Sequence, residues 1–264
     1  MEAAFFDLDK TIIARSSSFA LAKPMRRAGM VSRAQLVRMA YAQLIFVLLG
    51  ADDRRMDKAK NAMLELTRGW ERSQVEDLVR DVFADVIDPW VYQEALDLMQ
   101  EHREAGRQVF IVSSAPEEIV YPVARYLGAS GVVATRAEVV DGRYTGKLAF
   151  YAFGQSKADA MRGLAKRTGI DLAESYAYSD SPTDIPMLEA VGHPVAVNPS
   201  RELRKEAESR DWEIRDFERP VRMLPRAGEV FKPGPGMVVV AGVAVVAAAV
   251  WLFIRARRGG ERNA

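Results

Sequence analysis

The chain has 264 residues, 49% hydrophobic and 28% charged, with 37 basic and 36 acidic side chains and a formal net charge of +1. That length suits one large domain or two smaller ones, and the near-neutral total argues against a general nucleic-acid binder. The chain has no Cys, which excludes disulfides, thiolate catalysis and Cys-based zinc sites, and its two His, His102 and His193, stand in no metal-ligand spacing and read as structural or surface residues.

The first apolar run, Ala3–Asp7, predicts a strand that ends in the stretch FFDLDKTI, where Asp7 and Asp9 stand two apart. Carboxylates that close repel unless something compensates, although a lone DxD at a strand exit is more often a turn or capping device. Glu2, Asp7 and Asp9 interrupt the N-terminus, which does not read as a signal peptide. From there to about residue 91 the pattern is helical. Ser32 with Gln35 and Ser73 with Glu76 fit capping boxes, and Gly29, Gly50 and Gly69 mark helix stops. Between Lys10 and Ala51 there are seven basic residues and no acidic one, a bias that suits an anionic surface or substrate. Residues 36–49, LVRMAYAQLIFVLL, are apolar on nearly all sides but short for a membrane span and interrupted by Arg38. They read as a core helix of this helical segment, with contact to lipid or an acyl substrate as the alternative.

Beyond residue 92, predicted helices at Tyr92–Ala105, Glu117–Leu127 and Gln155–Thr168 each end at a glycine, Gly106, Gly128 and Gly169. They alternate with predicted strands at Gln108–Ser113, Val132–Thr135, Tyr176–Ser179 and Val195–Asn198. Such alternation predicts an α/β fold with a parallel sheet. The core is expected at 1–14 and 92–217, with a helical cap, 15–91, inserted after the first strand. Asp141-Gly142 within EVVDGRYTG predicts a hairpin added to the sheet domain. A Pro- and Gly-containing linker is expected over 218–236. Residues 237–254 then run 18 positions without a charge, about 27 Å as a helix against a bilayer core of roughly 30 Å. With Trp251 near its end and a basic tail over 255–264, this segment reads as a single-pass C-terminal transmembrane helix; basic residues on both sides leave its orientation open, and the lack of a cleavable signal and of Cys places the catalytic domain, as an expectation, in the cytoplasm.

Three predicted strands deliver chemistry to one sheet edge, the edge at which parallel α/β sheets bind ligands. The first brings Asp7 and Asp9, the second Ser113 and Ser114, and the third Asp180 and Asp184 in YAYSDSPTD; Lys157 adds an ammonium at a helix start. Each piece alone has a bland reading: a strand-end turn for Ser113, a solvated helix residue for Lys157, a capping pair for Asp180 and Asp184. Their order along the chain argues for a site. A phosphate ester facing a carboxylate nucleophile needs a divalent cation, and Mg²⁺ suits an oxygen-only set in which Asp7 and Asp180 supply carboxylates.

This set resembles the haloacid dehalogenase-like (HAD) phosphohydrolase superfamily: DLDKT as its first motif, IVSS as the second, Lys157 as the third and SDSPTD as the fourth. The insertion just after the first motif is similar to that of the phosphoserine-phosphatase-like branch, subclass IB. The resemblance implies a Rossmann-like HAD core and a Mg²⁺-dependent phosphomonoester hydrolase. Asp7 would be the nucleophile, Asp9 the general acid and base, and Ser113, Ser114 and Lys157 the phosphate-binding groups. Asp7, Asp180 and the Asp9 carbonyl would hold the metal, with Asp184 behind them on metal waters or Lys157. Phosphoserine phosphatases carry an acidic residue soon after the first motif; here Arg15 and Lys23 precede the first acid, Asp52. The expected substrate is therefore a small-molecule phosphomonoester other than phosphoserine, one with extra negative charge or close to a membrane. Phosphotransfer to an alcohol on the same residues, and a non-catalytic membrane-associated binding protein of this fold, stay open at this point.

Overall fold

The computed structural model of the protein describes residues 1–32, 35, 61–62, 64–86 and 90–221. The apolar run 36–49, most of the linker expected over 218–236, the span 237–254 and the basic tail lie outside them. Among the described residues, no helix is long and apolar enough to cross a membrane. The chain divides into two compact units, Met1–Leu224 and Pro225–Ala264, and all the described residues belong to the first.

The centre of that first unit is a seven-stranded sheet. Its strands are β1 (Ala3–Phe6), β3 (Gln108–Pro116), β4 (Gly131–Val140), β5 (Arg143–Phe150), β6 (Tyr176–Ser179), β7 (His193–Val197) and β8 (Glu213–Arg215). They lie in the order β5-β4-β3-β1-β6-β7-β8. All neighbours are parallel except β4 and β5. The four residues of β1 are fully buried, as a central parallel strand covered on both faces must be. Successive side chains face opposite layers. Phe5 stacks on Phe110 at 5.4 Å on one face, and Phe6 on Tyr178 at 4.3 Å on the other. Accordingly there are two cores, one around Phe6, Ile111, Met99 and Val120, the other around Phe5, Val112, Met161 and Leu188.

Among the described residues, the stretch between β1 and the short strand β2 (Val91–Tyr92) includes the helices α1 (Ser17–Ala20), α2 (Ala22–Arg27) and α3 (Arg72–Val86). The Ser32–Gln35 capping box forms reciprocally: the Ser32 N–H donates to Gln35 Oε1 at 2.7 Å, and the Gln35 N–H to Ser32 Oγ at 3.2 Å. The Ser73–Glu76 box does not form, because α3 already begins at Arg72 and that residue takes Glu76 at 2.7 Å. After β2 come α4 (Gln93–Glu104), α5 (Glu117–Tyr126), α6 (Gln155–Thr168), α7 (Ile185–Leu188) and α8 (Arg201–Ser209).

β4 runs well past Thr135 because the hairpin extends the strand itself. Asp141 and Gly142 both take positive φ, 50° and 75°, the two-residue turn whose twist suits a hairpin. The chain entering α3 pairs with this hairpin, Gly69 N–H to Tyr144 O at 2.8 Å and Arg72 N–H to Gly142 O at 2.9 Å. Finally, β9 (Pro220–Val221) pairs antiparallel with β2, although composition alone reads Pro220 as part of a linker. Proline is tolerated there because β9 is an edge strand.

Candidate active site

Register places the reactive groups. Phe6 pairs with Ile111 of β3 and with Tyr178 of β6. Asp7, one residue past β1, therefore stands between the C-terminal ends of both strands, and its N–H donates to Tyr178 O at 2.9 Å. Ser113 and Asp180 follow on those neighbouring strands. Asp7, Ser113 and Asp180 are buried, with 6%, 1% and 8% of their surface exposed.

Lys157 reaches the same place from α6. Gly154 precedes that helix at φ 53°, a conformation that favours glycine, and the chain then turns Lys157 inward in the first turn. Its Nζ lies 2.7 Å from Asp7 Oδ1 and 2.8 Å from Asp184 Oδ2. Asp184 closes the 3₁₀ turn Pro182–Asp184, and Ser179 Oγ donates to the same Oδ2 at 2.7 Å. Asp184 Oδ1 is buried without a partner. Asp180 faces Lys10 instead, with Oδ2 3.8 Å from that exposed ammonium.

Asp9 is set apart from this group. The Ser17 N–H, at the start of α1, donates to Asp9 Oδ1 at 2.8 Å, and Ser16 Oγ to Oδ2 at 3.4 Å. The loop between is tight. The N–H groups of Ile12 and Ile13 donate to Leu8 O at 3.0 and 2.9 Å, and Lys10 sits at φ 63°.

Burial sets the electrostatics. It pushes the Asp7 carboxyl well above the usual carboxylate range; Lys157 pulls the other way, while Asp184 and Asp180 push up. Asp180 is raised by burial to about 6, against Lys10. Asp9 is raised too, by burial that its serine donors only partly offset. Burial works to lower the Lys157 ammonium, but Asp7 and Asp184 outweigh it and hold the charge on. Asp7 and Asp184 thus share one buried ammonium, with a third carboxyl, Asp180, at the neighbouring strand end. That surplus, with the unpartnered Asp184 oxygen, suits a divalent cation. The expected donors, the carboxylates of Asp7 and Asp180 and the Asp9 carbonyl, are oxygen only. Among the described residues no group of three or more His, Cys, Asp or Glu side chains is placed to hold a metal ion by itself. A hard cation that keeps several waters fits such a set.

The structure brings Asp7, Lys157, Asp180 and Asp184 together and places Ser113 on the adjoining strand end. Ser114, the next residue, is exposed, and its carbonyl accepts from Thr135 Oγ1 at 2.8 Å. Sequence reasoning missed Ser179, the Ser16–Ser17 clasp on Asp9, and the nearness of Lys10 to Asp180. The three serines lie within a few residues of the motifs, but nothing in their spacing says which backbone or carboxylate they meet. His102 is buried, with Nε2 2.7 Å from the Tyr178 hydroxyl, and His193 stacks on Tyr176 at 4.5 Å.

A family model for haloacid dehalogenase-like hydrolases matches residues 4–189. A probable phosphatase of Mycobacterium tuberculosis is 48% identical over 244 residues, 92% of this chain and 83% of that protein. A phosphoserine phosphatase of the same bacterium is 34% identical over 249 residues, 94% of this chain and 80% of its own. The crystal structure of a protein of unknown function from Bordetella pertussis Tohama I matches with a TM-score of 0.73 at 29% identity, covering 81% of this chain and 98% of that one. With the acid–lysine cluster at the sheet edge, these likenesses place the chain in the haloacid dehalogenase-like hydrolase family, as a phosphatase of its phosphoserine-phosphatase-like branch.

Proposed function

We propose that the protein is a Mg²⁺-dependent phosphomonoester hydrolase that works through an aspartyl-phosphate on Asp7. The observation that carries this is Lys157, held by Asp7 at 2.7 Å and Asp184 at 2.8 Å while Asp9 is clasped separately by Ser16 and Ser17. The ammonium fixes Asp7 and works against the upward push of burial on its carboxyl, favouring the charged form that a nucleophile needs. Asp9 accepts from serine donors instead, which only partly offset the burial that raises it, so it can hold a proton, as a general acid needs.

Asp7 attacks phosphorus as the ester P–O bond breaks, and Asp9 gives its proton to the departing alkoxide. Water then attacks the aspartyl-phosphate, Asp9 takes back a proton, and inorganic phosphate leaves with Asp7 restored. Lys157 keeps Asp7 oriented and offsets charge on the phosphoryl oxygens, and Ser113 donates a hydrogen bond to one of them. Asp7, Asp180 and the Asp9 carbonyl would hold Mg²⁺, which would neutralise the repulsion between the phosphate and the carboxylates. Asp184 fixes Lys157 from behind.

We read the segment between β1 and β2 as a cap for this edge. Its stretch from Lys10 to Ala51 has no acidic residue to meet a substrate amine, and Arg15 is engaged with Trp90, 3.5 Å from the ring centroid. These features favour a phosphomonoester other than phosphoserine, carrying further negative charge. Residues 237–254 tether the chain to a membrane, with the hydrolase on the cytoplasmic side.

Asp7→Asn should lower Mg²⁺-dependent hydrolysis of an aryl phosphate by about a thousandfold or more while the protein stays folded. Undiminished turnover by this variant would sink the nucleophile assignment. Across a panel of phosphomonoesters, kcat/KM should be low for phosphoserine and higher for esters with a second anionic group; phosphoserine as the best substrate would overturn the substrate reading.

A further inference from the structure

The outgoing and returning connections of the helical segment run side by side. Ala14 N–H donates to Trp90 O at 2.8 Å and Tyr92 N–H to Ile12 O at 2.9 Å, and Ile13 bridges Val91 on one side and Asp9 on the other. β9 adds the third line of this ribbon, with Val221 paired to Val91 and Pro220 to Tyr92. From β9 the pairing runs through β2 to Ile13 and so to the loop that carries Asp9. Two strand spacings, about 10 Å, separate β9 from the 12–14 segment.

β9 is fastened well for so short a strand. Gln93 N–H donates to Arg219 O at 2.9 Å. Glu94 Oε1 accepts from the N–H groups of Glu218 and Arg219, both at 3.2 Å, and from Arg219 Nε at 3.0 Å. Upstream, Phe217 is buried and meets Tyr92 edge-on at 5.8 Å. Asn198 binds Phe217 twice, donating Nδ2–H to its carbonyl at 3.2 Å and accepting its N–H at 2.8 Å. A two-residue edge strand on a solvent-facing rim would not hold alone. The Glu94 clip and the Phe217 plug explain why it does.

We propose that β9 is a positioning element for Asp9: the end of the chain's first unit braces the β2–Ile13 ribbon, and that brace sets where the general acid stands. The inference rests on the phosphatase reading of Asp9. It gives the segment after β8 a task in the reaction, the delivery of the Asp9 proton to the leaving oxygen as the P–O bond breaks.

Glu94 touches no reacting group, so it tests the brace without removing machinery. In the full chain, solubilised in detergent, Glu94→Ala should lower kcat/KM on an alkyl phosphate about tenfold or more, because an alkoxide needs its proton. On p-nitrophenyl phosphate, whose leaving group departs unprotonated, kcat/KM should change less than about twofold, because it ends at release of the leaving group and excludes the later attack of water. Glu94→Gln keeps the accepting oxygen and should restore most of the loss. Amide hydrogen exchange at Ala14 and Tyr92 should quicken in Glu94→Ala and not in Glu94→Gln. Equal losses on both esters, or no loss on either, would overturn the proposal. If the wild type hydrolyses neither ester with Mg²⁺, the phosphatase reading falls, and unchanged exchange at Ala14 and Tyr92 would independently show that β9 braces nothing.

Discussion

Lys157 is a buried cation with two buried anions on it, and that makes it a strong test of the site. Breaking a buried ion pair from one side leaves charge uncompensated, at a cost of about 3–5 kcal/mol. Lys157→Met should destabilise the Mg²⁺-free protein by about that much in urea unfolding, beyond any loss of activity. A change below about 1 kcal/mol would mean that Asp7 and Asp184 do not carry charge around it. The carboxylates also make stability depend on pH. Asp180 keeps its proton to about 6 in the folded protein, and Asp7 is raised as well, both by burial first. The folded state then holds protons that the unfolded chain has released. Their contribution is full below the ordinary carboxylate value of 3.8 and is lost as pH rises through the folded values. His102 has the opposite sign. Burial lowers its imidazole from 6.5 to about 4, so its contribution is full above 6.5 and is lost as pH falls toward 4. The two trends offset each other at lower pH. Above 6.5 His102 is neutral in both states, and the carboxylate effect stands alone. If Mg²⁺ binds those carboxylates, as proposed, the rise in Tm on adding it should grow between about pH 6.5 and 8.5. A constant rise would argue against Asp7 and Asp180 as its ligands.

Elements were legible where one local rule dominates. β6 and α6 match their predicted bounds, Tyr176–Ser179 and Gln155–Thr168. An apolar run between turn residues and a helix that closes on Gly169 at φ 75° leave little choice. Asp141-Gly142 reads as a hairpin because that dipeptide suits positive φ at both positions. What stayed hidden depends on partners far along the chain. Glu213–Arg215 is a strand only because β7 offers it an edge, and Pro220–Val221 only because β2 does. Ser73 with Glu76 has the spacing of a cap, yet tertiary contacts outweigh it. Arg72 is drawn to Glu117 at 3.2 Å and Arg72 N–H to Gly142 O at 2.9 Å, which starts α3 two residues early. The site divides likewise. The acids and Lys157 stood out by type and order, whereas the clasp on Asp9 and the Ser179 bond to Asp184 are decided by how the loops fold back.

For the molecule as a whole, the question is where the hydrolase ends. The first unit closes at Leu224, three residues beyond β9, and includes every group assigned to the reaction. A chain stopped after Leu224 therefore retains the Glu94 clip, the Phe217 plug and the β2–β9 pairing. It should fold alone, because it keeps both hydrophobic cores and removes no residue of the sheet. Its Tm should lie within about 2–4 °C of the full chain's, the shift that about 1 kcal/mol makes at this size. Its Mg²⁺-dependent kcat/KM on a soluble aryl phosphate should match within about twofold, since no contact to the reacting atoms is lost. Membrane fractionation of the two chains then separates tether from site. If 237–254 is the anchor, the full chain sediments with membranes through an alkaline wash, while the shortened chain stays in the supernatant. A shortened chain that still sediments would move the membrane contact to the residues between β1 and β2, where the basic, acid-free stretch from Lys10 to Ala51 could meet anionic headgroups. High salt would then release it, because attraction between surface charges is screened within about 10 Å at moderate ionic strength, whereas an apolar helix in lipid is indifferent to salt.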